Sequence, residues 1–188
     1  GNLEGAEINY RKAIKLKNNF AQAYNNLGAT LQELGVLKEA ELNYKKAISL
    51  RTGYVEAYNN LGAILLELGK IKKAEERFKQ AIKYNNNYAE AHRNLSIVKS
   101  YNFQDKQYLK MKELYLNKNI SEEQRCHINF GLAKASEDLE NFEQAFKYYS
   151  EGNKIRKKLL SYDISQDIKI FKQLKSSYYK IRQNSEKL

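Results

Sequence analysis

Tyr24-Asn25-Asn26-Leu27-Gly28-Ala29 returns 34 residues later as Tyr58-Asn59-Asn60-Leu61-Gly62-Ala63, and a looser copy, His92-Arg93-Asn94-Leu95-Ser96, follows after another 34. Between the copies, Gly35, Ala40, Tyr44 and Ala47 reappear at the same offset as Gly69, Ala74, Phe78 and Ala81. Gly1, Ala6, Tyr10 and Ala13 continue the series backward. A fixed period of this length marks a stacked repeat architecture. Within one copy, Tyr24, Leu27 and Leu31 form an apolar stripe at helical spacing over about 21–34. Gly35 supplies the left-handed residue that ends a helix. A second helix is expected from Leu37 to about Leu50, with Ala40, Tyr44 and Ala47 on one stripe. Small residues at Gly28, Ala40 and Ala47 permit close helix approach, and Tyr24 and Tyr44 fill the gaps between pairs. One pair cannot bury both of its faces, so the pairs stack. The expected fold is all-α, a right-handed solenoid of antiparallel helix pairs.

These landmarks resemble the tetratricopeptide repeat, an aromatic residue followed by Leu-Gly, Tyr, Gly, Ala, Phe/Tyr, Ala and Pro over 34 positions. The resemblance covers roughly residues 1–100. The family's closing proline is replaced by Asn18, Thr52 and Asn86, which predicts turns without a rigid stop and second helices that run slightly long. Residue 1 falls at the turn inside a repeat. The opening helix, about Leu3–Lys17, therefore lacks its partner and leaves the Ala6, Tyr10 and Ala13 stripe partly open. The expectation is a fragment of a longer protein, with a possible self-association surface at this uncapped end.

Composition narrows the class. The 188 residues are 42% apolar with a formal net charge of +11, contain no proline, nine glycines and one cysteine. That apolar content supports a folded core rather than a disordered chain. Cys126 alone excludes an intrachain disulfide framework and a multi-cysteine zinc site. No apolar run approaches membrane length, and the polar start GNLEGAEINY shows no signal peptide; a cytoplasmic protein with no membrane partner is expected. Twenty-six of the 33 cations are lysines. Lys12, Lys15, Lys17, Lys45, Lys46, Lys70, Lys72, Lys73, Lys79 and Lys83 coat the second helices. Lys154, Arg156, Lys157, Lys158, Lys169, Lys172, Lys175, Lys180 and Arg182, interleaved with Tyr178 and Tyr179, continue the strip. Such a strip holds RNA or an acidic protein in some chains, but without an aromatic recognition motif the solvated-face reading is favoured over nucleic acid.

The period breaks after about Ser100. The expected organisation is repeats over 1–100, the first incomplete; a connecting helix and loop over 101–120; a divergent repeat-like pair over 121–160; and a C-terminal helix over 161–188. Ser121 with Gln124 forms a capping box, Asn141 with Gln144 a second start signal, and Asp163 a third. Asp163 opens a stripe of Ile164, Ile168, Phe171, Leu174, Tyr178 and Ile181. In the divergent pair Leu132, Leu139, Phe142, Ala145 and Tyr149 hold repeat positions, while Ala133 stands at the first glycine and Gly152 at the last alanine. The series His92–Ser96, Ser121-Glu122-Glu123, Phe130–Leu139, Glu151–Lys157 and Tyr162-Asp163 resembles the helical segment before the catalytic domain of bacterial tetratricopeptide–sulfotransferase proteins. That family's Pro-Arg-Ser-Gly-Thr-type donor loop is not in this sequence. The resemblance therefore implies a substrate-presenting neighbour of a covalently linked sulfotransferase domain, not an activity of these residues.

No catalytic residue, cofactor site or metal site is expected. His92 holds an aromatic packing position, and the adjacent Cys126 and His127 point about 100° apart on a helix, so a buried inert thiol is expected at Cys126. No phosphate loop, H-E-x-x-H or C-x-x-C occurs. Function is expected instead in a groove lined by the first helices, presenting Gln22, Asn25, Asn26 and Glu33, then Asn59, Asn60, Ala63 and Glu67, then Glu90, Arg93, Asn94 and Ile97 to a peptide or protein. Asn26, Asn60 and Asn94 form a ladder at the repeat period, similar to ladders in the repeats of O-linked N-acetylglucosamine transferase. Two readings stand: the amides pair with a peptide backbone, or they brace the neighbouring helix. The carboxylate clamp of chaperone-binding repeats is rejected. Of its residues only Asn60 is present, and Glu90 replaces a required cation.

Overall fold

Each half of the 34-residue period folds into its own helix. The protein, described here from a computed structural model covering residues 2–161, 168–175 and 177–178, contains α1 (Leu3–Leu16), α2 (Ala21–Glu33), α3 (Leu37–Leu50), α4 (Val55–Glu67), α5 (Ile71–Tyr84), α6 (Ala89–Val98), α7 (Lys106–Leu116), α8 (Glu122–Asp138) and α9 (Phe142–Leu159), with further helical residues at 168–175. No strand occurs among the described residues. The chain is an all-α solenoid whose α2–α3 and α4–α5 hairpins repeat one another.

The turn inside each hairpin follows from its glycine. Gly35 and Gly69 have φ of 77° and 71°. Val36 N–H donates to the Leu31 carbonyl at 2.8 Å and Gly35 N–H to Gln32 at 2.9 Å, the paired closure of a left-handed helix end. The α8–α9 turn repeats this geometry with Glu140 at φ 57°; Asn141 N–H reaches the Ser136 carbonyl and Glu140 N–H that of Glu137, both at 2.9 Å. A glutamate in that region costs about 1 kcal/mol.

The expectation of overlong second helices is corrected. α1, α3 and α5 end in the same register, at extended C-caps Lys17, Arg51 and Asn85 with φ of −139°, −136° and −142°. The stop comes from the next aromatic. Phe20, Tyr54 and Tyr88 N–H groups donate back to the C-cap carbonyls at 3.3, 3.3 and 3.1 Å, and Lys17 and Arg51 lie over the Phe20 and Tyr54 rings. These closed turns do what proline does elsewhere.

Close approach within hairpins is real. A Cβ on Gly28 would stand 2.8 Å from Tyr44, and one on Gly62 2.5 Å from Phe78. Tyr44 and Phe78 anchor a core with Leu27, Leu31, Leu61, Ile64, Leu65 and Leu95. The third copy lacks these small positions: Phe103 stands where Gly35 and Gly69 do, Tyr108 where Ala40 and Ala74 do, and Tyr115 where Ala47 and Ala81 do. α7 accordingly packs chiefly on α8 rather than closing a hairpin on α6. α8 takes the place against α6, where a Cβ on Gly131 would lie 3.5 Å from the Arg93 Cα. Met111, Leu114, Ile128, Leu132 and Tyr148 form the second core.

The helix starts follow their caps. Ser121 and Gln124 close the capping box at 3.1 and 3.0 Å. Asn141 accepts from Gln144 N–H at 3.2 Å, and Asp105 caps α7 through the Gln107 and Tyr108 N–H groups at 2.9 and 3.2 Å. Asp163, Ile164, Tyr179, Lys180, Ile181 and Arg182 lie outside the described residues. Ile168, Phe171, Leu174 and Tyr178 are exposed, as are Ile8 and Leu16 of α1, which buries no residue.

Candidate functional site

The recurring asparagines meet each other before they meet anything else. Asn60 Nδ2 donates to Asn25 Oδ1 at 3.2 Å, and Asn94 Nδ2 donates to Asn59 Oδ1 at 2.9 Å. Each bond joins a first helix to the preceding one, α4 to α2 and α6 to α4. Asn59 is 1% exposed and Asn25 is also buried, so their carbonyl oxygens are inward acceptors for the next repeat. Bracing contacts thus exist at Asn60 and Asn94, while the Asn26 side chain accepts only from its neighbour Asn25 at 3.5 Å. Asn26, Asn60 and Asn94 remain half-buried along this face, while Gln22, Glu33 and Glu67 are exposed at its edges and Ala63 lies half-buried between them. Gln32 bridges repeats beneath, donating to Glu67 at 3.3 Å and accepting from the Tyr44 hydroxyl at 3.1 Å. Glu90 accepts from the Tyr88 hydroxyl at 3.0 Å; burial, and then Glu90, push that phenol well above its ordinary range.

Arg93 and Ile97 come together with residues the sequence did not single out for the groove. Two hollows of about 300 and 210 Å³ share Arg93 of α6 and Phe130 of α8. The Arg93 guanidinium sits 5.5 Å from the Phe130 ring centroid. His127, Arg156 and Leu159 border the larger hollow; Ile97, Lys134 and Tyr149 border the smaller. A signal for them existed. With Ala133 at the first-glycine position, His127, Phe130 and Lys134 occupy the register of Gln22, Asn25 and Ala29. Burial pushes the His127 imidazole below its ordinary value, which Glu90 opposes and Arg93 reinforces; it stays neutral at pH 7. Lys134 pairs with Asp138, and Tyr149 donates to Glu137 at 3.0 Å. With Glu123 in the lining of the larger hollow and Lys134 already paired, Arg93 and Arg156 leave a modest excess of positive charge beside the aromatic wall, chemistry suited to an acidic residue with an apolar neighbour.

The remaining candidates are structural. His92 is fully buried, its Nε2 donating to the Asn86 carbonyl at 2.9 Å. The Cys126 thiol donates to the Gly152 carbonyl at 3.6 Å, and burial raises its pKa. No cluster of three metal-ligating side chains exists among the described residues. No described helix is long and apolar enough to cross a membrane. Part of the lysine strip is locally neutralised: Lys45 and Lys70 both reach Glu41, at 2.6 and 2.8 Å, Lys79 reaches Glu75 and Lys158 reaches Glu122, each at 2.6 Å.

Comparison with known proteins gives the same architecture. Models of the tetratricopeptide repeat match residues 19–87 and 1–35. None of the curated proteins matches the chain. Among solved structures, MamA is similar at 25% identity over 86% of this chain and 93% of its own, TM-score 0.61. YrrB, described as a repeat protein with an unusual peptide-binding site, is similar at 22% identity over 81% and 77%, TM-score 0.56. The O-GlcNAc transferase of Thermobaculum terrenum is similar at 19% identity over 61% of this chain and 23% of its own, TM-score 0.53.

Proposed function

Because this chain is a tetratricopeptide repeat protein, we propose that it is a non-catalytic interaction scaffold that captures a peptide segment of a protein partner along the α2–α4–α6 face, with an acidic residue of that segment anchored at Arg93 and Phe130. The observation that carries this reading is the pair of adjoining hollows sharing those two residues. The Asn25–Asn60 and Asn59–Asn94 bonds hold the face rigid, which lowers the ordering cost of binding. The Arg93 fork takes a carboxylate, the Phe130 ring an apolar neighbour, and Arg156 and Lys134 extend the positive field to either side. The peptide-binding site described for YrrB, which shares the fold, supports the class of partner.

The test is fluorescence anisotropy with acidic, neutral and basic peptide pools, followed by sequencing of the captured species. Acidic pools are expected to bind best, and Arg93→Glu and Phe130→Ala to weaken capture about tenfold or more. Asn26→Ala is expected to leave it unchanged. Undiminished capture by Arg93→Glu, or a preference for basic peptides, refutes the anchor. A second reading, a substrate-presenting segment beside a sulfotransferase domain, is supported by the Ser121-Glu122-Glu123 and Phe130–Leu139 resemblance; sulfate-donor turnover by the full gene product tests it.

A further inference from the structure

Charge in the repeats is sorted by helix. The second helices α3 and α5 carry eight cations, whereas the first helices α2, α4 and α6 carry one, Arg93. Carboxylates are divided equally, four on each set, yet they are used differently. Glu39, Glu41 and Glu75 on the second helices hold cations at 2.6 to 2.8 Å. Glu33, Glu56, Glu67 and Glu90 on the first helices form no ion pair among the described residues. In a chain of net charge +11, the α2–α4 part of the face is therefore negative. It turns positive only at Arg93 and Arg156, in the hollows.

Two of these carboxylates stand where their own backbone opposes them. Glu33 and Glu67 are the last residues of α2 and α4, the negative end of each helix dipole, where a cation stabilises and an anion does not. Neither helix has a basic residue in its last turn. The first cations that follow do not neutralise them: Lys70 is held by Glu41 at 2.8 Å, and Lys38 makes no ion pair among the described residues. The structure nevertheless positions both. The Gln32 amide donates to Glu67 at 3.3 Å while its carbonyl accepts from the Tyr44 hydroxyl at 3.1 Å. Burial, and then Glu33, raise that phenol above its ordinary range. A repeated charge that its helix disfavours and no neighbour pairs is the pattern expected where a ligand of opposite charge binds. The distance to the anchor follows from the repeat. Asn59 holds in α4 the position of Arg93 in α6, and Glu67 lies eight residues beyond it, roughly 12 Å along the axis. Neighbouring helices stand roughly 8–10 Å apart. The two charges are thus about 15 Å apart, a span of four or five extended residues, with half-buried Ala63 and exposed Ile97 as apolar floor between them.

We propose that the bound segment is dipolar: a lysine or arginine four or five residues from the acid anchored at Arg93 seats on Glu67, flanked by Glu33, and this second charge fixes the direction in which the segment runs. The inference rests on the Arg93–Phe130 anchor and supplies the chemistry of the partner's other end. Fluorescence anisotropy of the intact chain at low salt, with labelled synthetic peptides, tests it. The reference peptide carries one aspartate followed by leucine and no other charge. Its companions add one lysine next to the aspartate, or four or five residues to its N-terminal or its C-terminal side. Lysine on one of the two distant sides is expected to tighten binding about fivefold, the upper end for an exposed ion pair; lysine on the other side, or next to the aspartate, should bring no gain. Glu33→Gln with Glu67→Gln should erase the gain, leave the reference peptide's affinity unchanged and raise the melting temperature rather than lower it. Glu76→Gln, on α5, should leave the gain intact. Glu67→Lys should shift the preference to the peptide with glutamate in place of the lysine. Equal binding of every lysine placement and the reference overturns the inference while the anchor stands, and so does a gain that survives the double substitution. A reference peptide indifferent to Arg93→Glu overturns the anchor itself, and the spacing with it.

Discussion

Replacing Gly62 by alanine sets two known effects against each other. Gly62 lies in α4 opposite Phe78 of α5, and an added Cβ would stand 2.5 Å from Phe78 Cε1 and 2.6 Å from Cδ1. An ordinary carbon contact is about 3.5–4.0 Å, so the hairpin must open by roughly 1 Å or the ring must leave its rotamer. The ring has nowhere to go: Phe78 is fully buried in the core with Ile64, Leu65 and Leu95. In an isolated helix the same substitution stabilises by about 1 kcal/mol. Overpacking a filled core costs about 1–3 kcal/mol. At this separation the upper half of that range applies, and the expected net result is a loss of about 1–2 kcal/mol, or some 2–8 °C in melting temperature. Urea unfolding followed by circular dichroism measures it. Gly62→Ala combined with Phe78→Leu should lose less than the sum of the single losses, because leucine vacates the contested volume. A stabilised Gly62→Ala protein would refute the close-packing account of the repeat.

Five further outcomes are expected. Glu140→Gly, at φ 57° in the α8–α9 turn, should stabilise the protein by about 1 kcal/mol in urea titration, since glycine adopts that conformation freely. Asn59→Ala, which removes a buried amide and the acceptor for Asn94, should cost about 1–3 kcal/mol; Asn26→Ala should cost less than about 0.5 kcal/mol, and equal losses would count against the bracing role. Hydrogen bonds from Lys45 and Lys70 hold the Glu41 carboxyl below its ordinary value of 4.5, so its contribution is complete above that value and lost as pH falls below it, and the stability gap to Glu41→Gln should close in acid. Burial lowers the His92 pKa from 6.5, so the unfolded chain takes up the proton first and stability should fall below pH 6.5, by at most about 1.4 kcal/mol per pH unit, a slope that His92→Gln should flatten. Alkylation of Cys126 should be at least about a hundredfold slower than for a free thiol at neutral pH and should accelerate on denaturation.

The hairpins were legible because local chemistry decides them. Gly35 and Gly69 force the turns, and Gly28 with Tyr44 or Gly62 with Phe78 fixes the approach of partners only 16 positions apart. The loss of the pattern at Phe103, Tyr108 and Tyr115 was equally visible as a broken period. What replaced it was not, because the destination of α7 depends on Met111 meeting Gly131 of α8, positions outside the register of the repeat's small residues. The groove residues divide along the same line. The period places Asn26, Asn60 and Asn94 in a row, yet whether their amides face outward or toward Asn25 and Asn59 is set by the twist between neighbouring repeats. The proline expectation failed for a related reason: a backbone turn closed by Phe20, Tyr54 and Tyr88 leaves no trace in a consensus pattern.

α6 is a ten-residue helix serving two interiors, with Leu95 completing the first core and Ala89 joining the second. In an array where every rod leans only on its neighbours, melting spreads from the ends like a zipper until it meets such a shared tooth. Heat or tension should therefore divide this molecule into an early and a late block that part company at residues 89–98, and amide exchange along that one short rod should report on both.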